Sequence, residues 1–175
     1  MACGFHCIDV LPISRNFNAT TIPGIPCKMR PSIIDIELAE FLPGMSISDI
    51  WHVNADEIAE FAKLSGDYNP LHMDRDYAHN AGYQGQVAHG FLLGAKFSGL
   101  LGTKLPGKRC LLLEQSMSYP NPIILGDSIV LSIEVKNVHS ELAVVELKVV
   151  ATKLSGLNEP IVQVARGKVT CKILS

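Results

Sequence analysis

Asp67 and His72 are the two residues whose types and spacing point most directly to chemistry. They lie in one short segment, Gly-Asp-Tyr-Asn-Pro-Leu-His, whose glycine, asparagine and proline are typical of a turn. A carboxylate and an imidazole on one turn can hold a water molecule between them and move its protons. Pro70 stiffens this turn, and Asn69 either orients the aspartate or fixes the turn through its own hydrogen bond. The pair is therefore a candidate general acid and base.

The dipeptide His89-Gly90 opens a segment, residues 88–101, that is apolar on nearly every face. A helix with this pattern is buried rather than surface-lying. The unpaired N–H groups of its first turn favour a developing negative charge, and glycine lets another molecule approach the backbone closely. Gly90 is therefore a candidate oxyanion donor. We expect His89 to cap the helix or to pack, not to react.

Two short helices and a sheet must position these residues. Asn54 and Glu57 predict a capping box at the start of a helix that ends at Ser65-Gly66, and residues 74–80 predict a second short helix. Period-two patterns predict strands over residues 129–136, 143–151 and 162–173, and we expect two further strands over residues 45–53 and 110–119. In the last strand the pattern changes phase at Arg166-Gly167, which predicts a β-bulge there. Together these elements predict an α+β architecture, an antiparallel sheet with one buried helix.

Composition limits the classes of partner. The formal net charge is −2, which gives no reason to expect a nucleic acid partner. No apolar run approaches the roughly 18 residues of a membrane span. Five cysteines without a Cys-x-x-Cys pair suit a reducing compartment, so we expect a cytoplasmic location, with a mitochondrial one as the alternative.

The first part of the chain differs from the remainder. Residues 1–43 have several prolines and little periodicity, so we interpret them as an N-terminal arm of unknown role before a domain at residues 44–175. Cys3, His6 and Cys7 could contact a metal, but structural zinc needs four ligands and no second pair stands at the right spacing. We therefore expect no metal and no cofactor.

The string Ser-Gly-Asp-x-Asn-Pro-x-His, followed by His-Gly at the start of an apolar helix, resembles the R-specific enoyl-CoA hydratases of the MaoC-like family. The similarity runs from about Gly44 to the C-terminus. It implies a hot-dog fold, in which a sheet wraps around a long helix, and a homodimer with its active site near the interface. It also implies hydration of the 2,3 double bond of an acyl-CoA or acyl-carrier-protein thioester to the (R)-3-hydroxyacyl product, or the reverse reaction.

The same resemblance implies a role for each candidate residue. Asp67 and His72 would be the catalytic pair, and the Gly90 N–H would bind the thioester oxygen. Asn69 and Ser98 would belong to the substrate site, Ser98 in an auxiliary role. On sequence grounds Ser98 could equally bond only to a carbonyl one turn earlier in its helix. Which of the catalytic pair gives the proton and which takes it stays open.

Two alternative functions come from other classes. A hot-dog thioesterase typically has a carboxylate on or beside the buried helix, and residues 88–104 contain none. A non-catalytic acyl-binding module would not need the intact Asp67 and His72. A stretch without acids, residues 77–113, holds four basic residues that either meet the phosphates of the acyl carrier or are simply solvated: Lys96, Lys104, Lys108 and Arg109.

Overall fold

The computed structural model describes residues 32–154 and 161–175. The possible metal ligands Cys3, His6 and Cys7 lie outside the described residues. The described part contains five strands, β1 (Ser46–His52), β2 (Cys110–Ser118), β3 (Ser128–His139), β4 (Val144–Lys153) and β5 (Gln163–Ile173). They form one antiparallel sheet in the order β1-β3-β4-β5-β2.

Four α-helices connect or cover the strands in the described part: α1 (Ala55–Ser65), α2 (Pro70–Met73), α3 (Arg75–Asn80) and α4 (Gly90–Thr103). Two short 3-10 helices lie at Leu38–Glu40 and Ser140–Leu142. The α+β architecture predicted from the sequence is therefore confirmed. The sequence pattern predicts no helix at α2, because this helix is only four residues long and Asn69-Pro70 at its start are typical of a turn. Among the described residues, none of the helices has both the length and the apolar character that crossing a bilayer requires.

The core lies between α4 and one face of the sheet. Alternate residues of β3 and β4 are fully or almost fully buried, as the period-two pattern predicted: Ile129, Leu131, Ile133, Val135, Val145, Leu147, Val149 and Ala151. They share one hydrophobic cluster with the apolar side of α4, which includes Leu93 and Phe97. Burial of this apolar area stabilises the position of α4 and therefore of its first residue, Gly90.

The start of α1 shows how the sequence pattern and the tertiary contacts compete. The Asn54 side chain accepts a hydrogen bond from the Glu57 N–H at 2.9 Å, which confirms the predicted N-cap. The other half of the capping box is wrong, because the Glu57 carboxylate instead accepts hydrogen bonds from Trp51 Nε1 and Lys96 Nζ. Burial raises the pKa of Glu57, but the hydrogen bonds from Lys96 and Trp51 and the positive charge of Lys96 together lower the pKa below its ordinary value. Glu57 thus joins β1, α1 and α4.

The bulge in β5 lies slightly before the predicted position. Ala151 of β4 pairs with Ala165, whereas Thr152 pairs with Gln163, so that Val164 is the additional residue. A bulge in β5 is therefore confirmed, but its predicted position at Arg166-Gly167 is wrong. Gly167 has a different role: a Cβ there would lie 2.1 Å from the backbone oxygen of Ser116, so glycine permits β2 to approach closely.

Residues 32–43, the described end of the predicted arm, contact the domain. Asp35 forms ion pairs with Lys108 at 3.0 Å and Arg109 at 2.7 Å, and its pKa is lowered by the hydrogen bonds from these residues, that from Arg109 first. Phe41 is buried in the main core. With the pair of Lys96 and Glu57, three of the four basic residues in the acid-free stretch are therefore matched by acids from elsewhere in the chain.

Candidate active site

The turn between α1 and α2 carries the candidate aspartate. Gly66 ends α1 in the left-handed conformation, with φ of 77°. The Asp67 N–H donates to Ser65 Oγ, and the Asn69 N–H donates to Asp67 Oδ1, both at 3.2 Å. The Asp67 side chain is 51% exposed. Its carboxylate is therefore oriented by one local hydrogen bond, at Oδ1, while Oδ2 remains available.

His72 Nε2 lies 3.9 Å from Asp67 Oδ2. This distance is too long for a direct hydrogen bond, and it is a separation that one water molecule can bridge. The other ring nitrogen of His72, Nδ1, lies 2.7 Å from the Val87 carbonyl oxygen. Because a carbonyl only accepts, Nδ1 carries the hydrogen, and in the neutral ring Nε2 has the free lone pair. The nitrogen that faces Asp67 is therefore the one that can accept a proton.

Hydrogen bonds from Gln86 and Val87 to backbone carbonyls of α2 fix this helix, which carries His72. The Val87 N–H donates to the Leu71 carbonyl at 3.1 Å, and Gln86 Nε2 donates to the His72 carbonyl at 3.0 Å. The side chain of Asn69 accepts from the Leu71 N–H at 2.9 Å and so caps α2, with Pro70 as the first helical residue. Asn69 therefore has both of the structural roles that its sequence position suggests. Its side chain fixes the turn, and its backbone N–H orients the Asp67 carboxylate.

Gly90 is the first residue of α4, so the helix itself does not use its N–H. Ring carbons of Tyr119 lie 3.4 and 3.5 Å from the place that a Cβ on Gly90 would take. Tyr119 also lines an open groove of about 520 Å³ between α4 and β2. The remaining residues of this groove are Phe91, Gly94, Ala95, Ser98, Gln115 and Met117. The groove therefore begins beside the candidate oxyanion donor.

Ser98 lies further along the groove, on the exposed side of α4. It is eight residues from Gly90, or about 12 Å along the helix axis. The structure thus brings Asp67, Asn69 and His72 into one turn and helix, and places Ser98 in the groove at a distance from Gly90. The auxiliary role of Ser98 stays a prediction.

His89 is part of the site in a way that the sequence did not reveal. Its ring is only 1% exposed and lies against the ring of His72, with the centroids 3.8 Å apart at an interplanar angle of 32°. Its Nε2 lies 3.0 Å from the backbone oxygen of Asp67. It packs, as expected, but it packs on the candidate catalytic pair.

Asp67, His72 and His89 are also the described residues that could jointly offer three ligands to a metal, with donor atoms within 4.8 Å of one another. The geometry fits a metal poorly. His72 Nδ1 and His89 Nε2 both face carbonyl oxygens, so each ring has only its other nitrogen left for a metal. A structural zinc site would also need a fourth ligand. The arrangement suits proton transfer.

Comparison with known proteins identifies the family. Residues 42–162 match the family model described as "MaoC like domain". The chain therefore belongs to the MaoC-like family, as its motif indicated.

Individual relatives carry names that describe one type of reaction. The (R)-specific enoyl-CoA hydratase of Aeromonas caviae is 46% identical over 81 residues, which are 46% of this chain and 60% of that protein. A mitochondrial 3-hydroxyacyl-[acyl-carrier-protein] dehydratase of Arabidopsis thaliana is 32% identical over 76 residues, or 43% of this chain and 45% of that one. The matched segments thus cover less than two thirds of either relative.

The solved structure of the (R)-hydratase from A. caviae involved in PHA biosynthesis has the same fold. It superposes with a TM-score of 0.71 at 31% identity, over 77% of this chain and 98% of that one. The predicted hot-dog fold is confirmed by this likeness.

Proposed function

We propose that this protein adds water across the 2,3 double bond of an enoyl thioester to give the (R)-3-hydroxyacyl thioester, or catalyses the reverse dehydration. The observation that carries the proposal is the 3.9 Å separation of Asp67 Oδ2 and His72 Nε2, because one water molecule to the side of these two atoms can hydrogen-bond to both the carboxylate and the imidazole lone pair. The names of the relatives support the same type of reaction.

In the proposed reaction the water between the two side chains attacks Cβ of the enoyl group. One member of the pair takes a proton from this water, and the pair passes that proton on to Cα, so that the hydroxyl group and the proton of one water molecule add across the double bond. The charge that grows on the thioester oxygen is stabilised by the Gly90 N–H at the start of α4. The groove beside Gly90 and Tyr119 would receive the substrate.

The test is an assay with crotonyl-CoA. We expect the absorbance of the conjugated enoyl thioester to fall with enzyme, and chiral analysis to find the (R)-3-hydroxy product. Release of free thiol would instead indicate a thioesterase, and binding without turnover would indicate an acyl-binding module. Formation of the S product would contradict the proposed site geometry.

We propose that the acyl group is carried by coenzyme A or by an acyl carrier protein, and that the protein acts in the cytoplasm. Names of relatives include both a CoA-dependent and a carrier-protein-dependent enzyme, so parallel assays with crotonyl-CoA and a crotonyl carrier protein would distinguish them. Cys110 and Cys171 are free thiols whose sulfur atoms lie 3.2 Å apart on neighbouring strands. We propose a reducing compartment such as the cytoplasm, because the chain has five cysteines and no Cys-x-x-Cys pair.

We further propose a homodimer that covers the free edge of β2. This edge strand carries three consecutive exposed leucines, Leu111, Leu112 and Leu113, which are 42–54% exposed. Phe91 at the start of α4 is 82% exposed. An apolar edge strand of this kind is a template for pairing with another chain, and a second copy provides the same surface.

Charges on this edge are expected to separate the dimer. Changing both Leu111→Lys and Leu113→Lys would place four like charges in a two-fold symmetric interface, and we expect at least ~10-fold weaker association. Sedimentation velocity across micromolar concentrations measures the change, with Leu142→Lys as control because Leu142 is 63% exposed in the turn between β3 and β4. A wild-type protein that is monomeric at these concentrations would contradict the proposed dimer.

A further inference from the structure

His89 is the polar residue in the core that the proposed reaction does not use. It is 1% exposed, whereas the remaining residues of the described core are apolar or cysteine. A buried polar ring costs free energy unless its hydrogen-bonding groups are paired. The partners of His89 therefore indicate why a histidine, and not an apolar residue, occupies this position.

The pairing of His89 is one-sided. Its Nε2 faces the Asp67 carbonyl oxygen at 3.0 Å, so Nε2 carries the hydrogen and donates it. Its Nδ1 is buried and has no hydrogen-bond partner among the described residues. A phenylalanine ring, although somewhat larger, could pack in the same place and would bring no unpaired polar atom of its own, so the single bond to Asp67 is the specific property that histidine adds.

This hydrogen bond connects two parts of the site that are 22 residues apart in sequence. The other hydrogen bonds described for Asp67, to Ser65 and Asn69, stay within the turn. His89 is also the N-cap residue of α4 and precedes Gly90 directly. Its side chain thus fixes the aspartate turn, and its backbone leads into the proposed oxyanion donor.

The ring of His89 also limits the motion of His72. The two rings lie 3.8 Å apart between centroids, and Phe61 packs on His89 at 5.1 Å. His72 is therefore held by His89 at its face and by the Val87 carbonyl at Nδ1. Both constraints keep Nε2 directed towards the Asp67 carboxylate.

We propose that His89 is a positioning residue for the hydration reaction: its Nε2–H bond to the Asp67 carbonyl and its contact with His72 fix both catalytic side chains relative to the Gly90 N–H. This inference rests on the proposed function. The residue does not contact the reacting atoms. It sets the distance between the group that activates water and the group that binds the thioester oxygen, and misplacement of about 1 Å in such a site can cost about 10²-fold in rate.

Two substitutions separate the hydrogen bond from the packing. His89→Phe keeps an aromatic ring against His72 but removes the donor, and we expect kcat for crotonyl-CoA to fall about 10-fold with KM changed by less than about 3-fold. His89→Gln places an amide N–H close to the position of Nε2, and we expect it to restore kcat to within about 3-fold of wild type. His139→Phe, at the far end of β3, is the control for loss of a histidine.

A kcat within about 3-fold of wild type for His89→Phe would overturn the proposal, as would a folded His89→Gln variant that is as slow as His89→Phe. Ring-nitrogen NMR of the wild-type protein gives a readout that does not depend on activity or on a variant that folds. We expect the His89 ring in the Nε2–H form, and an Nδ1–H form would overturn the proposal. If the wild type does not hydrate crotonyl-CoA although the Nε2–H form is observed, the proposed function fails while the tie between His89 and Asp67 stands.

Discussion

Replacement of Asp67 by asparagine is expected to lower kcat for hydration by at least ~10²-fold, the lower range for loss of a general acid or base. Asparagine keeps the size of the side chain and an oxygen that can accept the Asn69 N–H. It removes the charge and the capacity to exchange a proton with the water between Asp67 and His72. Because the side chain is half exposed, we expect the melting temperature to change little.

Asp74→Asn is a matched control for this substitution. Asp74 caps α3 by accepting from the N–H groups of Asp76 and Tyr77, and asparagine is as good an N-cap as aspartate. It makes the same chemical change seven residues away without removing a proposed catalytic group, so hydration should remain near the wild-type rate. An Asp67→Asn variant that folds normally and keeps most of its activity would contradict the catalytic assignment.

The sheet and the buried helix could be predicted from the sequence because their signals are local. The inward-facing positions from Ile129 to Val135 and from Val145 to Ala151 follow from alternation within the strand itself, and the structure buries all of them. Ala143, which continues the same alternation, instead lies half-buried in the turn before β4. The turn at residues 66–70 follows from glycine, asparagine and proline in the same way. Patterns of this kind depend on neighbours a few residues away, which the sequence displays directly.

Contacts between distant residues could not be predicted. The Glu57 carboxylate does not bond to the backbone of Asn54, because it accepts hydrogen bonds from Trp51 and Lys96 instead. Lys96 is 39 residues away in the sequence. His89 was expected only to cap or pack because nothing in its own segment indicates Asp67. In both cases the sequence identified the residue and its element, but the partner depends on how α4 lies against β1 and the turn.

The glycine in β5 shows the same limit. Gly167 stands beside a change of phase, and for that reason the bulge was expected there. The structure instead places the additional residue at Val164 and uses Gly167 for close contact with β2. A glycine in a strand is compatible with both roles, and only the position of the neighbouring strand decides between them.

Gly167→Ala is therefore expected to destabilise the fold strongly. The added Cβ would lie 2.1 Å from the Ser116 carbonyl oxygen and 3.0 Å from Met117 Cγ. Met117 can move, but the carbonyl belongs to the backbone of β2, which pairs with β5 on both sides of this point. Relief of the contact would thus require β2 to move away, and we expect a loss of about 3 kcal/mol in the free energy of unfolding.

Thermal unfolding measures this loss as a decrease of roughly 6–12 °C for a chain of this size. Gly99→Ala on the exposed side of α4 is the control, because a Cβ there meets nothing within 4 Å and alanine favours a helix over glycine by about 0.5–1 kcal/mol. Since β2 carries Gln115 and Met117 of the groove, displacement of β2 should also reduce hydration. An equal melting temperature for Gly167→Ala and wild type would contradict the close approach of β2 to β5. It would also contradict the position of Gln115 and Met117 in the groove.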